Sequence, residues 1–234
     1  MTTLLSMDKV TSYYGKTPIL KDFSFEIEQG TCLCVLGRNG VGKTTMMRTI
    51  MGLTDRSTGD VTINGLSIGA LPTYQRAKQG IGYVPQGRGI LAEFTVRENI
   101  LLGTFARKDE DSDIPEICLR LFPYLKENLD RRAGLLSGGQ KQQLAVARAL
   151  AVGPKVLLLD EPTEGIQPNI VQEIGETLRT LNKELGITLL LTEQHIKVAK
   201  KLGDKFLMLD NGRVVASGPI DALDDEVIRK HMTI

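Results

Sequence analysis

The sequence predicts an α/β fold: a mostly parallel sheet flanked by helices, with a small antiparallel β layer and a helical lobe attached. Three observations carry this. Short continuous apolar runs, among them Cys32-Leu33-Cys34-Val35-Leu36, Val156-Leu157-Leu158-Leu159 and residues 187–191, have the length of strands buried on both faces. Stretches of helical period alternate with them, the clearest placing Ile170, Ile174, Leu178, Leu181 and Leu185 at helical spacing behind Pro168. Residues 7–29 instead alternate around Val10, Ile19, Phe23, Phe25 and Ile27, the pattern of antiparallel strands, before a turn at Gln29-Gly30.

The remaining elements follow in chain order. Val61-Thr62-Ile63 with Asn64-Gly65 reads as a strand and a turn, residues 74–78 as a short helix after Pro72, and Ile81-Gly82-Tyr83-Val84 as a strand ended by Pro85. From 87 to about 150 the character is helical, over 96–105, 114–121 and 140–150. The polar run Lys108-Asp109-Glu110-Asp111-Ser112-Asp113 forms a loop between the first two. Beyond the strand and helix already noted come a helix over 196–202 and a closing pair, 206–209 and Val214-Val215, around Asn211-Gly212. The expected organisation is one domain over 1–234, with 1–86 and 151–234 as core and 87–150 as helical lobe. There is no internal repeat.

Composition narrows the function. At 234 residues the chain can bury a full core. Lys and Arg number 29 against 28 Asp and Glu, so no electrostatic case exists for nucleic acid or anionic lipid. Arg131-Arg132 and Lys200-Lys201 read as solvated surface. Three cysteines, two of them on one strand, fit reduced thiols in a core, and two histidines without a Cys-x-x-Cys argue against a zinc-type site. The start Met1-Thr2-Thr3-Leu4-Leu5 lacks the marks of a signal peptide, and no apolar run approaches the roughly 20 residues that span a bilayer. A soluble chain, able to sit on a membrane protein, is expected.

The chemistry centres on Gly37-Arg38-Asn39-Gly40-Val41-Gly42-Lys43-Thr44, followed by Thr45. It fits the phosphate-binding pattern Gly-x-x-x-x-Gly-Lys-Ser/Thr and lies between a strand and a helix over 44–51. Glycines let the backbone turn its N–H groups around a phosphate, and the helix start adds partial positive charge. Lys43 should reach the β- and γ-phosphates of a nucleotide, and the Thr44 hydroxyl should ligate Mg²⁺. Leu159-Asp160-Glu161 ends a buried strand on the edge where open parallel sheets bind ligands. Asp160 should hold the metal and Glu161 polarise the attacking water. Leu136-Ser137-Gly138-Gly139-Gln140 opens the helix 140–150, with Ser137 as N-cap and the glycines exposing N–H groups, a second anion site. Two phosphate-binding helix starts and one nucleotide invite a dimer.

Together these motifs resemble the ATP-binding cassette (ABC) ATPases over essentially the whole chain. The resemblance implies a RecA-like P-loop core, ATP and Mg²⁺ as ligands, and two cassettes meeting head to tail with each ATP held between one loop and the other's signature. Ser137, Gly138, Gly139 and Gln140 would then bind the partner's ATP. Tyr14 matches the aromatic that stacks on adenine, and Gln86, in Tyr83-Val84-Pro85-Gln86-Gly87, the glutamine that senses Mg²⁺.

Two positions depart from the family pattern. Glu161 is followed by Pro162-Thr163-Glu164-Gly165-Ile166-Gln167-Pro168, which puts Gln167 where an aspartate is usual. The second concerns the family's switch histidine: counting back ten residues from Asp204 places the switch at Gln194, with His195, one residue late, as the alternative. Gln194 can donate a hydrogen bond to a γ-phosphate but carries no charge. Residues 37–43, 80–88 and 160–168 resemble the importers of branched-chain amino acids and urea. The loop 37–43 and the ending Arg229-Lys230-His231-Met232-Thr233-Ile234 look closest to the urea or short-amide branch. This implies an ATPase subunit peripheral to the cytoplasmic face of the inner membrane. Its partners would be membrane permease subunits and a second nucleotide-binding subunit, a copy or a relative. The alternative is an ABC ATPase outside transport, although such proteins usually carry two cassettes in one chain or an inserted coiled coil.

Overall fold

The computed structural model describes residues 2–107 and 113–232 of the chain. The expected loop at 108–113 therefore falls, except for Asp113, outside the described residues, as do Thr233 and Ile234. The antiparallel layer comprises β1 (Thr3–Tyr14), β2 (Thr17–Glu28), β4 (Arg56–Ile63) and β5 (Leu66–Ser67), in the order β2-β1-β4-β5. The second sheet, in the order β10-β9-β3-β8-β7-β6, contains β3 (Cys32–Leu36), β6 (Ile81–Val84), β7 (Val156–Asp160), β8 (Thr188–Glu193), β9 (Lys205–Asp210) and β10 (Arg213–Pro219). It is parallel except for the β9–β10 hairpin.

The continuous apolar runs are explained by two cores. Leu33, Val35, Leu158 and Leu190 point into one, shared with the antiparallel layer and with Met46, Met47 and Ile50 of α1 (Lys43–Met51). Cys32, Cys34, Leu36, Leu157, Leu159, Leu189 and Leu191 point into the other. Successive strand side chains face opposite sides, so a strand covered on both faces must be apolar at every position. All three cysteines are free and buried, as expected.

On the second face lie α6 (Gly138–Leu150), α7 (Pro168–Lys183) and α8 (Ile196–Leu202), while the short α2 (Thr73–Lys78) packs beside α1. The helical lobe is α3 (Val96–Thr104), α4 (Glu116–Leu121) and α5 (Pro123–Glu127) against α6. The helix expected over 114–121 begins only at Glu116, because Ile114 precedes Pro115 and a residue before proline is driven out of the helical region. The same rule at Phe122-Pro123 separates α4 from α5, which composition did not reveal. A last helix, α9 (Asp225–Met232), was also not expected; Asp224 Oδ1 accepts from the N–H groups of Glu226 at 3.0 Å and Val227 at 2.9 Å, an N-terminal signal legible in hindsight. Leu185 departs from expectation too: it lies beyond the end of α7 and is 40% exposed.

The stripe that remains on α7, Ile174, Leu178 and Leu181, is buried. Leu178→Ala should reduce unfolding free energy by about 3 kcal/mol, read from the urea midpoint at constant m. A loss below about 1 kcal/mol would mean that α7 is not docked as described.

Candidate nucleotide site

Sheet register brings the functional loops together. β3 and β8 align Leu36 with Glu193, and β8 and β7 align Thr192 with Asp160. The segments after these three strands, beginning at Gly37, Gln194 and Glu161, therefore leave side by side from one edge.

The loop from Gly37 runs into α1, which starts at Lys43, one residue before the expected 44. Gly42 caps it at φ 113° and ψ 7°, a conformation that L side chains rarely adopt, and no side chain caps the first turn. Its N–H groups are thus left for a ligand. Loop and strand ends surround a cavity of about 360 Å³ lined by Tyr14, Ile19, Asn39, Gly40, Gly42, Lys43, Thr44, Thr45, Gln86 and Glu161. Arg38, Asn39 and Gly40 are exposed, and Val41 is half-buried. Its carbonyl accepts from the Gly212 N–H at 2.9 Å, so the β9–β10 turn props the loop, a role that the sequence did not suggest.

Lys43 is buried. Its Nζ donates to the carbonyls of Gly37 at 2.7 Å and Arg38 at 3.0 Å and pairs with Glu161 Oε1 at 3.0 Å. Tyr14, at the cavity wall, has the Arg48 guanidinium 5.6 Å from its ring centroid. Tyr13 instead carries Arg56 at 4.1 Å, outside the cavity lining.

Asp160 and Glu161 are both buried. Glu161 has φ 47°, so the chain turns sharply where β7 ends, and its N–H is fixed by donating to Thr192 Oγ1 at 2.9 Å. Thr192 in turn donates to Asp160 Oδ1 at 2.7 Å. Gln194 Nε2 donates to Glu161 Oε2 at 2.7 Å. The predicted switch and the predicted base are thus in contact, whereas His195 is exposed and caps α8 without a side-chain bond.

Asp160 Oδ2 is buried without a partner. Burial pushes this carboxyl up, while the bonded Thr192 hydroxyl and the nearby Thr44 hydroxyl pull it back, Glu161 pushes it up again and the nearby Gln86 backbone N–H pulls it down. An unsatisfied carboxylate oxygen beside the Thr44 hydroxyl and Gln86 is an all-oxygen set that fits Mg²⁺, which typically takes only one or two protein carboxylates and completes its shell with phosphate and water. Accordingly, no cluster of three acidic, histidine or cysteine ligands occurs among the described residues.

The signature residues stand apart from this cavity. Ser137 caps α6 in a reciprocal box: its Oγ accepts from the Gln140 N–H at 3.3 Å and Gln140 Oε1 accepts from its N–H at 2.9 Å. The box does not use the N–H groups of Gly138 and Gly139. A Cβ on Gly139 would lie 2.5 Å from Ile170 Cγ2, so the helix start can approach α7 only with glycine there. Gln86 donates to Glu164 Oε2 at 2.9 Å, tying the position expected to sense Mg²⁺ to the loop after Glu161. Gln167 is exposed and begins α7 without a side-chain bond. Sequence reasoning missed Thr192 and Glu193, which brace the site from β8; the available signal was polar residues closing an otherwise apolar strand.

Known proteins agree with this architecture. The sequence profile of the ABC transporter family matches residues 20–164. The high-affinity branched-chain amino acid transport ATP-binding protein BraG of Pseudomonas aeruginosa is 41% identical over 213 residues, 91% of each chain. The probable branched-chain amino acid transport protein LivF of Archaeoglobus fulgidus is 36% identical over 94% of each. The Nod factor export ATP-binding protein I of Rhizobium meliloti is 40% identical over 96% of this chain and 67% of its own. Among solved structures, an ATP-binding cassette of an ABC transporter in its ADP conformation superposes with a TM-score of 0.81 at 27% identity, covering 98% of both chains. A dimeric cassette in a post-hydrolysis state with ADP and Pi superposes equally well, at 0.81 and 27% identity, over 93% of this chain and 99% of that one. The chain belongs to the ABC transporter family and is one of its ATP-binding, ATP-hydrolysing cassettes.

Proposed function

We propose that this cassette powers import of a small polar solute through membrane permease subunits, by closing on ATP with a second cassette and reopening after hydrolysis. The observation that carries the hydrolytic part is the convergence on Glu161, whose two carboxylate oxygens are taken by Lys43 and Gln194. Lys43 moves from Glu161 to the β- and γ-phosphates when ATP enters the cavity. Glu161 then takes the proton of a water whose oxygen attacks the γ-phosphorus, the bond to the β–γ bridging oxygen breaks, and ADP and phosphate are left. Gln194, released at the same moment, donates to the γ-phosphate. Mg²⁺, held by Thr44, Asp160 and Gln86, would neutralise charge developing on the phosphates. Tyr14 would carry the adenine, and residues 37–45 the phosphates.

The signature supports the dimer. Ser137, Gly138, Gly139 and Gln140 do not line the chain's own cavity, and the unused N–H groups of Gly138 and Gly139 suit the γ-phosphate of a partner's ATP. The helical lobe, 87–150, is read as the part that meets the permease. Among the described residues no helix is long and apolar enough to cross a membrane. Partnership with permease subunits would put the cassette on the cytoplasmic face of the membrane, where ATP is.

Relatives named for branched-chain amino acid transport favour those amino acids as the solute. The urea or short-amide reading rests on the loop 37–43 and the chain's ending, neither of which meets the solute. Deleting the gene and restoring it should abolish and recover uptake of labelled leucine; loss of urea uptake with leucine uptake intact would reverse the assignment.

Glu161→Gln keeps a side chain that can hydrogen-bond Lys43 and Gln194 but removes the base. Turnover should fall by about 10²-fold or more while ATP binding persists. Light scattering should show its mass doubling with Mg-ATP. Near-normal hydrolysis would remove Glu161 from its role, and a monomer that binds ATP would point to a different cassette as partner. Gln194→Ala should slow steady-state hydrolysis by on the order of tenfold, about 1.4 kcal/mol. His195→Ala should have the smaller effect, and the reverse order would transfer the switch to His195.

A further inference from the structure

Glu193 closes β8 and is 2% exposed, yet none of the steps above uses it. A carboxylate withdrawn from water to this degree persists only if its oxygens are satisfied. Here both are, by two different loops. Oε1 accepts from the Thr163 hydroxyl at 2.7 Å, in the segment that begins with Glu161. Oε2 accepts from the backbone N–H of Gln194 at 3.2 Å and of His195 at 3.5 Å. Burial pushes this carboxyl up, and the same partners pull it back.

The hydrogen bonds close a ring. Glu161 is two residues from Thr163, Thr163 bonds Glu193, Glu193 holds the Gln194 backbone, and Gln194 Nε2 returns to Glu161 at 2.7 Å. We propose that Glu193 is a positioning residue that sets Gln194 against Glu161 by tethering the loop after β7 to the segment after β8. With the tether intact, the backbone segments that carry the base and the γ-phosphate donor stay in register when Gln194 exchanges Glu161 for the γ-phosphate. Without it, the N–H groups of Gln194 and His195 lose their acceptor, the backbone there is held only through the His195 carbonyl, which accepts from Val198 at 3.0 Å and Ala199 at 3.2 Å, and Gln194 loses its aim. The neighbouring acid, Asp160, does not bridge the two loops: its Oδ1 accepts from Thr192 within β8, and its Oδ2 has no hydrogen-bond partner.

This inference rests on the roles given to Glu161 and Gln194 above, and a mutant cycle on the full chain separates the two. Steady-state ATPase rates with Mg-ATP are measured for Glu193→Ala, Thr163→Val, Gln194→Ala and the double variant Glu193→Ala/Gln194→Ala. Glu193→Ala should lower kcat by on the order of tenfold and Thr163→Val by about threefold, with KM for ATP within about twofold of the original. Because Glu193 acts through Gln194, the double variant should be no slower than Gln194→Ala alone. Multiplying effects in the double variant, or a loss expressed in KM with kcat unchanged, would overturn the proposal. If Glu193→Ala does not fold, Thr163→Val, which exchanges a hydroxyl for a methyl of similar shape, takes its place in the cycle with the same expected non-additivity. If Gln194→Ala alone leaves kcat unchanged, the role of Gln194 falls and the tether with it. If Gln194→Ala is slow while both Glu193→Ala and Thr163→Val are not, the tether alone falls.

Discussion

The arrangement of the site depends on keeping one positive charge, that of Lys43, out of water. Its side chain is 4% exposed, and an ammonium in that position is tolerable only with acceptors on every side. The carbonyls of Gly37 and Arg38 supply two and the Glu161 carboxylate the third. These requirements shape the surroundings. The loop must curl so that two of its carbonyls point inward, β7 must end at the level of the loop, and the residue after Asp160 must turn back sharply, which it does at φ 47°. A γ-phosphate offers Lys43 a stronger acceptor than any of these. In the proposed cycle, nucleotide entry would therefore exchange an internal ion pair for an external one, and the same exchange would release Glu161 to act as base.

The rest of the fold holds both ends of α1. At its start the helix is open, facing the cavity with uncapped N–H groups. At its end Arg76, buried, donates through Nη1 to the carbonyls of Thr49 at 2.8 Å and Ile50 at 2.9 Å. The same guanidinium reaches the Gly69 and Leu71 carbonyls, each at 2.7 Å, fastening the helix to the segment after β5. Met46, Met47 and Ile50 lock the helix flank between the two sheets. A loop whose backbone must meet phosphate oxygens within a few tenths of an ångström needs such a rigid mount. The antiparallel layer supplies half of that mount and, through Tyr14, one wall of the cavity.

Much of this was legible because the relevant signals are local. The loop 37–44 carries its own spacing, strand and helix, and the buried strands announce themselves by apolar residues at consecutive positions. The placing of Asp160 and Glu161 at the strand edge beside the loop was legible from topology, since carboxylates ending a parallel strand emerge at the edge where such sheets bind ligands. What stayed hidden depends on residues distant in sequence. Gly212 supports Val41 from a hairpin far along the chain, and Thr163 meets Glu193 only because β7 and β8 are neighbours. Helix ends were displaced for a different reason: Pro115 and Pro123 interrupt apolar periodicity that runs past them, and Leu185 keeps the period of α7 after its backbone has left the helix. Periodicity reports which face would be buried, not where the hydrogen bonds stop.

Hydrogen bonds also join the cavity to the signature helix along a short path. Gln86, at the cavity wall, donates to Glu164 at 2.9 Å. Two residues later Arg88 reaches Gln142 Oε1 of α6 at 3.2 Å and the Glu164 carbonyl at 3.4 Å. Arg148, at the other end of the same helix, donates to the carbonyls of Arg88 at 3.0 Å and Gly89 at 2.8 Å. The segment 87–89 has positive φ throughout, at 74°, 72° and 57°, a conformation that Arg88 adopts only against a steric cost. That cost is offset by two arginines bonded along α6. A displacement of Gln86 toward bound Mg-ATP would pull on Glu164 and on Arg88, and hence on the helix whose start presents Ser137, Gly138 and Gly139. Occupation of one cavity would thereby be connected, within a single chain, to the surface proposed to bind the nucleotide of the other.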